Sequence, residues 1–182
     1  MIKKQSPVLL VCLLAILLSC GCSKKKEEVT YQGKPLSEWI KMLNDEKPHT
    51  RLEAIIAIRE IGPGAREAIP DLIELIRITR NHDKKFLFAT VTALLAMGKE
   101  IVPDMISLLK DDNWEMRRGS AWMLGKLGPE AKGAVPALTE ALNDTNVNVR
   151  MKASWALKNI KGEAVEPVKP GSNSKTSPFA EK

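Results

Sequence analysis

Ile69-Pro70-Asp71-Leu72, Val102-Pro103-Asp104-Met105 and Val135-Pro136-Ala137-Leu138 stand 33 residues apart, and Leu36-Ser37-Glu38-Trp39 lies one period further upstream. A fixed period of about 20 to 50 residues marks a chain in which each unit buries its apolar face only against its neighbours, giving an elongated stack. Working outward from each stretch, apolar residues recur at i, i+3, i+4 and i+7. They are Leu36/Trp39/Ile40/Leu43, Ile69/Leu72/Ile73/Ile76, Val102/Met105/Ile106/Leu109 and Val135/Leu138/Thr139/Leu142, with only Thr139 out of pattern. That spacing predicts one face of an α-helix. Pro70, Pro103 and Pro136 fall near its start, where a missing N–H has no helical partner to lose.

A polar turn follows each of these helices, and then a second helix with the same spacing: Ala54/Ala57/Ile58/Ile61, Ser120/Met123/Leu124/Leu127 and Ala153/Ala156/Leu157/Ile160. Gly62 and Gly128 end two of them inside the same string, Gly-Pro-x-Ala-x-x-Ala-(Ile/Val)-Pro-x-Leu. Glycine supplies the left-handed cap and proline prevents continuation. In three of the turns an acidic residue precedes a basic one by six positions: Asp45/Arg51, Asp111/Arg117 and Asp144/Arg150.

Helix pairs, period, Gly-Pro string and acid/base pair together resemble HEAT repeats, in particular the short bacterial HEAT-like repeats found also in phycobilin lyase subunits. The resemblance spans residues 36–162. It implies an all-α, α-α solenoid of four hairpins whose Asp and Arg bond across the turn and between neighbouring units as a ladder. Unit two departs, with Ile78 and Lys84 at the ladder positions and a second helix ending three residues late at Gly98. The ladder is expected to be interrupted there, with a longer turn through Thr79-Arg80-Asn81-His82-Asp83. The Thr-Pro-Leu-His of ankyrin units and the Trp/Leu-Gly/Tyr pattern of tetratricopeptide units are both missing.

The N-terminus reads as an export signal. Lys3 and Lys4 precede an apolar run from Val8 to Leu18, broken only by Cys12 and too short for the ~20 residues that span a bilayer. Leu17-Leu18-Ser19-Cys20 resembles the lipobox of bacterial lipoproteins, with Leu at −3 and a small residue at −1; Leu18 at −2 is larger than usual. The resemblance implies a signal peptide over 1–19, a diacylated Cys20 and a membrane anchor without a spanning helix. Gly21 is not the Asp that retains some lipoproteins in the inner membrane of enteric bacteria. The expected location is therefore the outer membrane, or the extracytoplasmic face of the cell membrane. An ordinary secretory signal that leaves Cys20 and Cys22 as free thiols is the alternative. Residues 20–34 read as the lipidated end and a flexible tether, whose last twelve residues reach at most ~40 Å. The repeat domain follows over 35–162, with units near 36–68, 69–101, 102–134 and 135–162. The Pro-, Gly- and Ser-rich 163–182 is predicted to be disordered.

The 182-residue chain carries a net charge of +6, of which Lys3 and Lys4 contribute two units. No Lys/Arg density of the kind a nucleic-acid groove shows is present, so nucleic acid is not expected as a partner. With two histidines and one tyrosine, and with no glycine-rich phosphate loop, Gly-x-Ser-x-Gly or Cys-x-x-Cys, there is no constellation for catalysis. Neither cofactor nor small-molecule substrate is implied. His49, His82 and Asp83 lie one period apart and are conceivable metal ligands, though turn histidines are ordinarily solvated.

The surface feature that stands out lies on the second helices. One residue before the buried column are Ile56, Ala89, Trp122 and Trp155, and a turn earlier Leu52, Lys85, Arg118 and Met151. The resemblance puts these helices on the concave face, with Trp122 and Trp155 side by side and flanked by Arg118 and Lys126. Aromatic and Arg side chains make interface hot spots; indoles packed between adjacent helices are the other reading. The expectation is a non-catalytic scaffold, lipid-anchored at the cell envelope and binding another protein. A chromophore-lyase-type subunit and a structural envelope protein are the alternatives.

Overall fold

The structure, a computed structural model, describes residues 28–79 and 83–162. The expected signal segment, Cys20, His82 and residues 163–182 lie outside the described residues. Among those described, the chain forms eight α-helices paired into four hairpins. The pairs are α1 (Leu36–Met42) with α2 (Pro48–Ile61), α3 (Ile69–Thr79) with α4 (Lys84–Ala96), α5 (Val102–Leu108) with α6 (Trp114–Leu127), and α7 (Val135–Glu140) with α8 (Val147–Lys161). This is an all-α HEAT-like solenoid.

Each hairpin is built by the same local rules. Proline occupies the first turn of α2, α5 and α7. Asp83, Asn113 and Asn146 cap α4, α6 and α8 by accepting from the N–H of Phe86, Glu115 and Asn148, satisfying donors the helix itself leaves free. The linkers Gly62–Ala68 and Gly128–Ala134 are 3₁₀ turns entered at φ +64° and +57°, a region that glycine alone adopts without steric penalty. Gly98 repeats this in unit two at φ +60°.

A continuous core runs through the stack, from Leu36, Trp39 and Leu43 through Ile58, Leu72, Leu94 and Met105 to Leu124, Leu138 and Ile160. The described buried side-chain N and O atoms all have hydrogen-bond partners. Buried Thr90 and Ser120 do so by donating to the carbonyls of Phe86 and Arg117 at 2.9 and 3.0 Å.

The last residues of the segment read as a tether are folded. Thr30–Tyr31 and Lys34–Pro35 pair antiparallel as β1 and β2, around Gln32-Gly33 at φ +49° and +77°, the left-handed conformation that tight hairpins use. Trp39 Nε1 donates to the Tyr31 carbonyl at 3.2 Å and the Leu36 N–H to the Val29 carbonyl at 2.8 Å, so this hairpin closes the first end of the stack. Among the described residues no single helix is long and apolar enough to cross a membrane.

Candidate functional site

The three acid/base pairs all use the arginine in the same way. Arg51, Arg117 and Arg150 each donate through Nη1 to the backbone carbonyls of the turn before them: Asp45 and Glu46 at 2.7 and 3.1 Å, Asp111 and Asp112 at 2.8 and 3.0 Å, and Asp144 and Thr145 at 2.7 and 3.1 Å. Each aspartate carboxylate turns instead onto the N–H two residues on, that of Lys47, Asn113 or Asn146. The carboxylates of Asp111 and Asp144 are then met by an arginine of the preceding unit. Arg117 grips Asp144 through Nε and Nη2 at 2.6 and 3.0 Å, with the side chains 14% and 9% exposed. The Arg117 hydrogen bond holds the Asp144 carboxyl below its usual range against the opposing effect of burial, with the Asn146 N–H assisting.

Unit two breaks the Arg–Asp contact with unit one and keeps one with unit three through a different arginine. Asp111 takes its partner from α3, where Arg77 Nη2 donates to Oδ2 at 2.6 Å and lowers the Asp111 carboxyl in the same way. Ile78 offers no carboxylate to Arg51, whose guanidinium lies 5.5 Å from the centroid of the Phe86 ring of unit two instead, a cation–π distance.

On the second-helix face, the late end of α4 moves its register by three residues. The buried set is Thr90, Ala93, Leu94 and Met97, where a strict 33-residue period selects Leu87, Thr90, Val91 and Leu94. The α4 counterparts of Arg118 and Trp122 are accordingly Phe88 and Thr92, in place of Lys85 and Ala89. Phe88 is 72% exposed and Met151 62%; Leu52 and Ile56 on α2 are exposed as well. Sequence reasoning missed Phe88, and the offset of Gly98 is the signal that would have found it.

The two tryptophans have different surroundings. Trp155 is half-buried and lies on Gly125 of α6: a Cβ at that glycine would overlap Cζ3 and Cε3 of the ring. Trp155 is thus a packing residue between α6 and α8. Trp122 points to the other side and lines a cleft toward α4. Lys126 sits over Trp122 and Lys152 over Trp155, each at 5.7 Å, and Arg118 over Trp114 at 5.6 Å. Arg118 also lines the cleft beside Trp122, away from the Trp155 packing contact.

The cleft follows from uneven stacking of the second helices. Among the described residues α6 and α8 share the most extensive helix contact and α2 and α4 also pack broadly, whereas α4 and α6 touch sparsely. Gly125, Ala153 and Ala156 let α6 and α8 close together. On α4 the corresponding surface carries Leu87, Phe88 and Val91, and these stand off α6. The opening is about 510 Å³, floored by Ile73, Ile76, Val91, Leu108, Met116 and Trp122, with Arg77, Lys84, Arg118 and Lys152 against the single carboxylate of Glu115. Among the described residues no three His, Cys, Asp or Glu side chains cluster as a metal site.

A family model described as HEAT repeats matches residues 102–178, the segment that holds the Arg117–Asp144 contact and the α6–α8 pair. Among solved structures the chain is similar to the complex of CpcE and CpcF of phycocyanin lyase from Nostoc sp. PCC7120, at 19% identity and a TM-score of 0.46, over 70% of this chain and 78% of that one. No curated protein matches the chain.

Proposed function

We propose that this chain is a non-catalytic HEAT-like scaffold, exported and anchored by a lipid on Cys20, that holds another protein against its second-helix face. The observation that carries the reading is the row of apolar side chains left outside the core on that face: Leu52 and Ile56 on α2, Phe88 on α4 and Met151 on α8. None is needed to join the hairpins, which meet through the alanine, leucine and isoleucine columns beneath. Scattered exposed apolar residues are ordinary, but a row on one face of a repeat stack is what a partner surface requires. The lipobox-like Leu17-Leu18-Ser19-Cys20 supports the anchored placement.

The test is site-specific photo-crosslinking in cells. A photoreactive residue in place of Phe88 or Met151 is expected to give the same discrete protein adduct, and one in place of exposed Glu67 on a connecting turn is expected to give none. Absence of any adduct from 88 and 151, or an identical pattern from 67, would overturn the scaffold reading.

A further inference from the structure

We propose that the cleft between α4 and α6 is a binding site for a single-chain anionic amphiphile, an alkyl chain ending in a carboxylate or similar acid. Three features of the site carry this. Its floor is apolar, and its volume of about 510 Å³ lies in the usual range of small-ligand sites, about 300 to 1,000 Å³. Its charged lining is one-sided: Lys84, Arg118 and Lys152 are not ion-paired among the described residues, and only Glu115 opposes them. Arg77 is already engaged by Asp111.

The third feature is Gly119. It sits inside α6, where glycine costs roughly 0.5 to 1 kcal/mol relative to alanine. Gly125 in the same helix is explained by Trp155 lying on it, but a Cβ at Gly119 would meet nothing within 4 Å. Gly119 lines the cleft, so its missing side chain leaves the opening wider.

The α2–α4 and α6–α8 seams on either side pack closely, and the opening lies where α4 and α6 part. A compact ligand with one apolar chain and one anionic end matches an apolar cleft beside cations that hold no carboxylate.

The experiment is calorimetric titration of the full chain carrying Cys20→Ala, kept free of detergent, with dodecanoate below its micelle concentration. Dodecyltrimethylammonium and butanoate are the comparison probes. Dodecanoate is expected to bind with one site per chain, and each of the other two at least tenfold more weakly. Gly119→Leu, which fills the cleft while improving helix propensity, is expected to abolish binding with an unchanged or higher thermal midpoint. The Arg118→Glu/Lys152→Glu variant is expected to weaken it at least tenfold. Equal binding of the cationic and anionic probes, undiminished binding by a folded Gly119→Leu, or binding of an acidic helical peptide without binding of dodecanoate would overturn the proposal.

Discussion

Replacing Arg117 by alanine separates the two duties of this side chain, and Arg150 provides the internal reference. Arg117→Ala loses the two carbonyl bonds to Asp111 and Asp112 and the two-point grip on Asp144. Arg150→Ala loses only the equivalent carbonyl bonds to Asp144 and Thr145. The carbonyl bonds are worth ~1 kcal/mol net in either case. The ion pair is almost wholly out of solvent, and its loss strands a carboxylate that keeps only the Asn146 N–H. That residual bond brings the pair's contribution to ~2 kcal/mol, the lower part of the range for charged hydrogen bonds. Arg117→Ala is therefore expected to cost about 3 kcal/mol and Arg150→Ala about 1 kcal/mol in urea unfolding at pH 7.

The gap between the two variants depends on pH, and the sign is fixed by Asp144. Its folded carboxyl titrates below the ordinary value because of Arg117. The stabilisation is therefore fully present above the unfolded carboxylate pKa near 4 and is lost as pH falls through the lower folded value. The difference between the variants is expected to be constant from pH 7 to 5 and to narrow below about pH 4. Two variants of equal stability at pH 7, or a gap unchanged in acid where the fold persists, would refute the assignment of that energy to the Arg117–Asp144 pair.

The two glycines of α6 are expected to respond oppositely to the same change. Gly125→Ala drives a methyl into the Trp155 ring and the Ala156 backbone and should lower stability by ~1 to 3 kcal/mol, whereas Gly119→Ala should raise it by ~0.5 to 1 kcal/mol, both read by urea midpoints. Trp155→Ala should cost ~2 to 3 kcal/mol, below the ~3 to 5 of a fully buried aromatic because the ring is half-buried, and Trp122→Ala clearly less. Equal costs would place both indoles in one kind of environment. Cys20→Ala should move the protein from the membrane pellet into a soluble or unprocessed fraction; a lipid-free N-terminus on the native protein, found by mass spectrometry, rules out the anchor.

The α-α architecture was legible in the sequence because a 33-residue period with a 3.6-residue apolar spacing inside it has no other physical solution. Fine register was not. In α3 the third buried position is Leu75 rather than Ile76, and in the 3₁₀ turn after α7 Ala141 rather than Leu142, since an apolar residue stood on each side of the seam. Ile76, turned outward, lines the cleft. The contact between units was legible only as a residue pattern: the spacing Asp111/Arg117 names the right side chains, but partner choice is tertiary. Arg77 lies 34 residues from the aspartate it holds, and no local motif marks it. The β-hairpin at 30–35 was hidden by its polar composition, although Gln32-Gly33 is the kind of turn that carries positive φ.

The uneven stacking has a consequence for how the solenoid comes apart. In a repeat stack stability is a sum of unit terms and nearest-neighbour interface terms, and here the middle interface is the poorest. Units one and two are joined by the α2–α4 packing, and units three and four by α6–α8 and the Arg117 grip. Units two and three share a sparse α4–α6 contact, the adjoining connecting turns and the Arg77–Asp111 pair. Arg77 is 39% exposed, so solvent screening leaves that pair only about 1 kcal/mol. Arg77→Ala is therefore expected to change overall stability little but to uncouple the halves. Native-state hydrogen exchange should then show the α2 and α4 amides opening at a different free energy from those of α6 and α8. The parent should already show a smaller split in the same direction. A single opening free energy shared by all four second helices in the Arg77→Ala protein would mean that the middle interface is as strong as its neighbours, and that the cleft does not weaken the stack.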